Sequence, residues 1–152
     1  SIGATTRDFG AKGISLDEGL GDMAGNRLDA IAEFGKAQKM GRPGEPATAP
    51  YERLAEKPSF SKKIYRTLRT AKAMGLDVPP GLLAQSKKIY NAKKAGFKTP
   101  QERIDYAKRC LEATRQVEAQ AKKRVGSKAN WSAIAAAQGA ASALNAREES
   151  SE

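Results

Sequence analysis

The segment SKKIYRTLRTAKAMGLDVPPGLLAQSKKIY, residues 61–90, contains the pentapeptide Ser-Lys-Lys-Ile-Tyr at both of its ends, 25 positions apart. Around the first copy, apolar side chains recur at intervals of three and four residues, which is the period of one helical face. They are Phe60, Ile64, Leu68, Ala71 and Met74. The pattern predicts a helix over residues 59–74 that buries this stripe and projects its basic residues from the opposite side.

The residues between the two copies predict a turn and a second helix. Gly75 is suited to the left-handed conformation that closes a helix, and Pro80 to the first position of the next helix. We expect the second helix over residues 80–95, with Leu82, Leu83, Ile89 and Tyr90 facing inward. The repeat therefore indicates two helix-and-turn units, fewer than the three or more units of a repeat array.

The sequence Ala71-x-x-x-Gly75-Leu76 resembles the turn of a helix-turn-helix, in which small residues let two helices cross closely. The resemblance implies that the second helix enters the major groove of DNA. Gly81 stands where that motif has a buried aliphatic residue, and this departure argues against such an insertion.

Three further helices are predicted outside this segment. SLDE at residues 15–18 fits a capping box before a helix over residues 16–40. Thr99, Pro100 and Glu102 give the strongest start signal, for a helix that ends near residue 125. An alanine-rich helix follows over residues 130–146. In the helix over residues 16–40, the residues expected to face inward are Leu20, Met23, Ala24, Leu28, Ile31 and Phe34. In the helix that begins after Thr99, they are Ile104, Ala107, Cys110, Leu111, Thr114, Val117, Ala121 and Val125.

These elements predict an all-α fold, a small helical bundle of about four to five helices with an N-terminal helical arm and a disordered acidic C-terminal tail. Residues 41–50 hold three prolines and two glycines and are interpreted as a linker. The predicted organisation is an arm and helix at 1–40, this linker, a basic helical core domain at 51–128, and an alanine-rich helix with an acidic tail at 129–152.

The composition argues against most catalytic chemistry. The chain has no histidine and one cysteine, Cys110, which removes the usual metal sites, nucleophile pairs and disulfides. We therefore expect no catalytic residue, cofactor or metal, and a core position for Cys110. A lone cysteine is compatible with a reducing compartment, and no apolar run reaches the about 18 residues of a membrane span. These features predict a soluble cytoplasmic protein without a membrane partner.

The net charge of +10 is concentrated in one part of the chain. Residues 57–101 hold eleven basic residues and one acidic residue, whereas the rest of the chain is balanced. This asymmetry favours a polyanionic partner over a merely solvated face. The residues expected to bind it are Lys62, Lys63, Arg66, Arg69, Lys72, Lys87, Lys88, Lys94 and Lys98.

Two functions are compatible with this charge. The first is a non-enzymatic module within nucleic-acid-handling machinery that binds nucleic acid, DNA more than RNA. Lysine outnumbers arginine nine to two in the basic segment, so we expect phosphate contacts rather than base reading. Tyr65 and Tyr90 occupy matching places in the repeat and serve either as stacking platforms for bases or as helix-packing aromatics. The second function is a docking module that binds an acidic protein surface or self-assembles.

Overall fold

The computed structural model describes residues 16–92 and 96–125, which form five α-helices and no strand. The helices are α1 (Leu16–Lys39), α2 (Ala49–Ala55), α3 (Pro58–Ala73), α4 (Pro80–Ala92) and α5 (Pro100–Val125). Over these residues the predicted all-α fold is confirmed. The predicted arm, alanine-rich helix and acidic tail lie outside the described residues, as does Lys94.

Helix α3 lies at the centre of the molecule. It packs most extensively against α1 and α4, and it also contacts α2 and α5. The five residues of its predicted apolar stripe are all fully buried. Burial of one large aliphatic or aromatic side chain contributes about 1.5–3 kcal/mol to stability. The stripe of α3 is therefore the apolar centre around which the other helices assemble.

Helix α1 meets the core through part of the predicted face: Leu20 and Ala24 are buried, and Phe34 is partly buried against the core. Met23 is buried as expected, but Leu28 and Ile31 are 54% and 39% exposed. Ala30 and Ala37 are fully buried instead. Small side chains allow close approach of two helices, so alanines occupy the contact and the two larger residues are left outside. The prediction that Leu28 and Ile31 face inward was wrong.

Residues 41–50 connect α1 to α2 within one core. Leu20 of α1, Leu54 of α2 and Phe60 of α3 belong to the same cluster of buried apolar residues. The predicted linker is a short connection, and α2 begins at its end, at Ala49. The predicted linker therefore connects helices that contribute to the same core.

An arginine of α2 binds a carbonyl group in the last turn of α1. Arg53 of α2 donates two hydrogen bonds to the carbonyl oxygen of Ala37, at 3.0 and 2.6 Å. The same guanidinium binds both carboxylate oxygens of Glu45, at 2.8 and 2.9 Å, and these hydrogen bonds hold the pKa of Glu45 below its usual value. The carbonyl groups at a helix C-terminus have no partner within the helix, so this contact satisfies an acceptor and ties α1 to α2.

The connection between α3 and α4 has the geometry that its glycine predicts. Gly75 adopts φ of +81°. Its amide donates to the carbonyl of Lys72 at 2.9 Å, and the amide of Leu76 donates to that of Ala71 at 3.0 Å. This pair of hydrogen bonds is a Schellman motif, which closes α3.

The start of α5 confirms the predicted cap. The Thr99 hydroxyl accepts a hydrogen bond from the amide of Glu102 at 3.2 Å. The Glu102 carboxylate accepts one from the amide of Lys98 at 3.0 Å, one residue earlier than in a standard capping box.

Cys110 is a core residue of α5, as predicted. It is fully buried, and this burial raises the pKa of its thiol to about 12. One turn earlier, Tyr106 is also buried, with a raised pKa from the same cause, and its hydroxyl shares a 2.6 Å hydrogen bond with the Ser61 hydroxyl of α3.

Candidate nucleic-acid interface

The two copies of the pentapeptide face each other across a helical hairpin. The Lys62 ammonium lies 5.6 Å from the centre of the Tyr90 ring, and the Lys87 ammonium lies 5.9 Å from that of Tyr65. Lys62, early in α3, thus contacts Tyr90, late in α4. The contact of Lys87 in α4 with Tyr65 in α3 repeats the same lysine–tyrosine pairing in the opposite direction. The helices are therefore antiparallel, and the two copies are related by an approximate two-fold axis.

This geometry differs from a helix-turn-helix. In that motif the two helices cross at about 90–120° and touch near the turn. Here the contact between Lys62 and Tyr90 joins the ends of α3 and α4 that are farthest from the turn. Because α4 lies along α3 with Leu82 and Ile89 buried, the turn-region resemblance does not extend to the helix arrangement.

Three cations surround the pair of tyrosines. The guanidinium carbon of Arg69 lies 5.3 Å from the centre of the Tyr65 ring, beside the lysine contacts described above. The two rings have centres 6.3 Å apart with planes inclined by 31°. Each cation–π contact at a surface is worth about 0.5–1 kcal/mol, so the rings hold the charges in preferred positions. We define the hairpin face as Lys62, Arg66, Arg69 and Lys87 together with Tyr65 and Tyr90.

The tyrosines of this face act first as packing residues. Tyr65 is only 4% exposed and Tyr90 is half-buried. A base can stack only on an open ring face, and the ring of Tyr65 is covered. The sequence left open whether the tyrosines stack on bases or pack between helices. Tyr65 packs between helices, and of the two tyrosines only Tyr90 keeps a partly exposed ring.

Lys63 does not belong to the hairpin face. Its ammonium lies 3.2 Å from the carboxylate of Asp29 on α1, and its side chain is only 26% exposed. Lys57 is similarly 3.6 Å from the carboxylate of Glu33. Both carboxylates come from outside the basic segment of the sequence, so the charge count along the chain did not include them. These two lysines join α3 to α1.

Of the other predicted residues that the structure describes, one lies on the hairpin face and three lie apart from it. Arg66 is half-buried and follows Lys62 by four residues, which places both on one side of α3. Lys72, Lys88 and Lys98 are exposed. Lys88 lies about 100° around α4 from Lys87, and Lys98 lies in the connection to α5. Among the predicted cations that the structure describes, four thus lie on the hairpin face, and the others lie apart from it: Lys63, Lys72, Lys88 and Lys98.

The described residues contain two shallow grooves outside this face. One, of about 380 Å³, lies between the start of α4 and the middle of α5. The other, of about 300 Å³, lies between α1, α2 and α5. Within the described ranges, no group of three or more potential ligating side chains is close enough to hold a metal ion. None of the five described helices combines the length and apolar composition needed to cross a membrane.

Comparison of the chain with protein families, curated proteins and solved structures finds no match.

Proposed function

We propose that the chain is a non-enzymatic helical module that binds nucleic acid through phosphate contacts at the hairpin face. The observation that carries this proposal is the convergence of Lys62 and Lys87, from two helices, around one pair of tyrosines, with Arg66 one turn after Lys62. The terminal nitrogens of Arg69 are buried beside Tyr65, so we expect no phosphate contact from that residue. Side chains already held against aromatic rings lose less conformational entropy on binding than free surface lysines do.

The expected contacts are with the sugar–phosphate backbone. The cations lie against the rings, so the aromatic faces are occupied and base stacking is disfavoured. A duplex presents phosphates without unpaired bases, which makes duplex DNA the partner we propose. Neutralisation of each phosphate releases condensed counterions, so the affinity falls as the salt concentration rises.

The test is a salt series of binding to duplex DNA, with single-stranded DNA and duplex RNA measured in parallel. In the test variant, Lys62, Arg66 and Lys87 are each changed to glutamine. A matched control removes the same number of lysines and arginines from exposed positions elsewhere: Lys39, Arg42 and Lys123. We expect the test variant to lose about tenfold or more in affinity and to lower the salt slope by up to about three, and the control to change both much less.

Several outcomes overturn the proposal. They are equal losses in the two variants, an affinity that does not depend on salt, and absence of binding to any nucleic acid at about 150 mM salt. Binding to an acidic protein that needs the hairpin face, without nucleic-acid binding, favours the docking module instead. Helical circular dichroism of both variants verifies that they remain folded.

A further inference from the structure

The two copies of the pentapeptide occupy equivalent positions in the hairpin. Each copy buries its isoleucine in the core, Ile64 in α3 and Ile89 in α4. Each copy also places its first lysine, Lys62 or Lys87, half-buried at the hairpin face. The approximate two-fold axis exchanges α3 with α4 but keeps the core on one side and these lysines on the other. The axis therefore runs from the core out through the hairpin face, between the two tyrosines.

Reciprocal contacts hold the two lysines at matching positions about this axis. Lys62 lies 5.6 Å from the centre of the Tyr90 ring, and Lys87 lies 5.9 Å from that of Tyr65. The ring centres themselves are 6.3 Å apart. Because a two-fold axis relates the two contacts, the two ammonium groups lie on opposite sides of it, at similar distances from it.

The equivalence does not extend beyond these lysine–tyrosine pairs. Lys63 pairs with the carboxylate of Asp29, whereas Lys88 is exposed. Arg66 follows the first copy, and Asn91 follows the second. The cation that the two sides of the hairpin face have in common is therefore one lysine each.

Duplex DNA has a matching symmetry. Its strands are antiparallel, so a dyad perpendicular to the helix axis exchanges the two sugar–phosphate backbones, and two-fold symmetric proteins align with it. A surface whose own axis lies along such a dyad presents one of its equivalent cations to each strand. Phosphates carry no sequence information, so the match does not require a palindromic sequence. A single strand has no such dyad.

We propose that the hairpin face straddles the two strands of duplex DNA, with Lys62 bound to a phosphate of one strand and Lys87 to a phosphate of the other. This inference rests on the proposed function and specifies how its nucleic-acid partner is bound. The two orientations of the hairpin that the axis relates make the same two lysine contacts. Arg66 adds a contact on the Lys62 side only.

The test compares an ordinary short DNA duplex with a half-neutral one, in which every phosphate of one strand is replaced by an uncharged methylphosphonate. All proteins are full chains that carry Arg66→Asn, so the same residue follows both copies of the pentapeptide. On the ordinary duplex, Lys62→Gln and Lys87→Gln are each expected to lower the salt slope of binding by about one, and the double variant by about two.

On the half-neutral duplex, only one lysine at a time contacts a charged phosphate, and the other replaces it when the hairpin turns around its axis. Each single variant is therefore expected to keep the salt slope of its parent and to lose about half of its affinity, since one of two orientations is lost. The double variant is expected to lower the slope by about one. Lys88→Gln is the matched control, because Lys88 is exposed outside the hairpin face, and it is expected to change both slopes much less.

The outcomes separate this inference from the proposed function. If both lysines bind the same strand, each single variant lowers the slope by about one on the half-neutral duplex as well, which overturns the inference and leaves nucleic-acid binding in place. A loss from only one of the two lysines on the ordinary duplex also overturns it. Absence of binding to the ordinary duplex, or binding that neither lysine affects, overturns the proposed function and this inference with it. Circular dichroism verifies that the variants remain folded.

Discussion

Arg124 reaches from the last turn of α5 to the end of α3, where it donates hydrogen bonds to the carbonyl oxygens of Met74 and Gly75 at 2.6 and 3.0 Å. One turn earlier, the side-chain carbonyl of Gln120 accepts a hydrogen bond from the backbone amide of Asp77 at 2.9 Å, and its side-chain nitrogen donates one to the backbone carbonyl of Asp77 at 3.0 Å. These two side chains hold the connection between α3 and α4. Neither contact was predictable from local sequence patterns, because the partners are more than 40 residues apart.

Replacement of Arg124 by glutamine is expected to lower the free energy of unfolding by about 1–2 kcal/mol, because two charge-assisted hydrogen bonds to backbone carbonyls are lost. Lys123→Gln is the control, since Lys123 is an exposed neighbour, and its effect is expected within about 0.5 kcal/mol. Urea unfolding of both variants measures the difference. Equal midpoints for the two variants would show that Arg124 contributes nothing to stability.

The Cys110 thiol is expected to resist alkylation in the folded protein. Burial raises its pKa to about 12, so at pH 8 the reactive thiolate is scarce as well as covered. Iodoacetamide labelling followed by mass spectrometry is expected to proceed only as fast as the protein unfolds, and to accelerate with urea. Labelling of the native protein at the rate of a free thiol contradicts this expectation.

The α3–α4 hairpin shows which features of a pair of helices can be predicted from the sequence pattern. The apolar spacing and Gly75 predicted both helices and the turn, because these features act within a few residues of one another. The crossing of the helices was not predictable in this way. It depends on reciprocal contacts between residues 22–28 positions apart, such as Lys62 with Tyr90 and Lys87 with Tyr65.

Two glycines of this hairpin are expected to respond in opposite directions to alanine. Gly75→Ala places a side chain at φ of +81° and is expected to destabilise the protein by about 1–2 kcal/mol. Gly81→Ala, in the first turn of α4, adds a methyl group with no neighbouring atom within 4 Å. It is expected to stabilise by about 0.4–1 kcal/mol, because it restricts the unfolded chain. Thermal unfolding measures both, and destabilisation by Gly81→Ala or neutrality of Gly75→Ala contradicts the interpretation.

The whole described molecule shares one core, and α1 is part of it. Asp22 of α1 is buried and accepts a hydrogen bond from the Thr70 hydroxyl of α3, and Arg27 pairs with Glu118 of α5. Helices predicted as separate parts of the chain are therefore joined by apolar, polar and ionic contacts.

Deletion of residues 1–40 is expected to abolish cooperative thermal unfolding of the remaining chain, because it exposes the face of α3 that α1 covers. A chain that begins at residue 15 keeps α1 and its predicted capping box and is the control, expected to unfold in one transition. Circular dichroism during heating measures both. A sharp transition in the shorter chain contradicts this expectation.

Local chemistry along the chain was enough to determine the helical class, the stripe of α3, the cap at Thr99 and the turn at Gly75, since each depends on residues within one or two helical turns. The tertiary structure alone decided that alanines rather than Leu28 and Ile31 enter the core, and that Lys63 pairs with Asp29 while Lys62 and Lys87 surround the tyrosines. Helical periodicity states which residues share a face, but not which neighbour packs against it or how closely. A net charge summed along the sequence likewise omits the carboxylates that another helix brings.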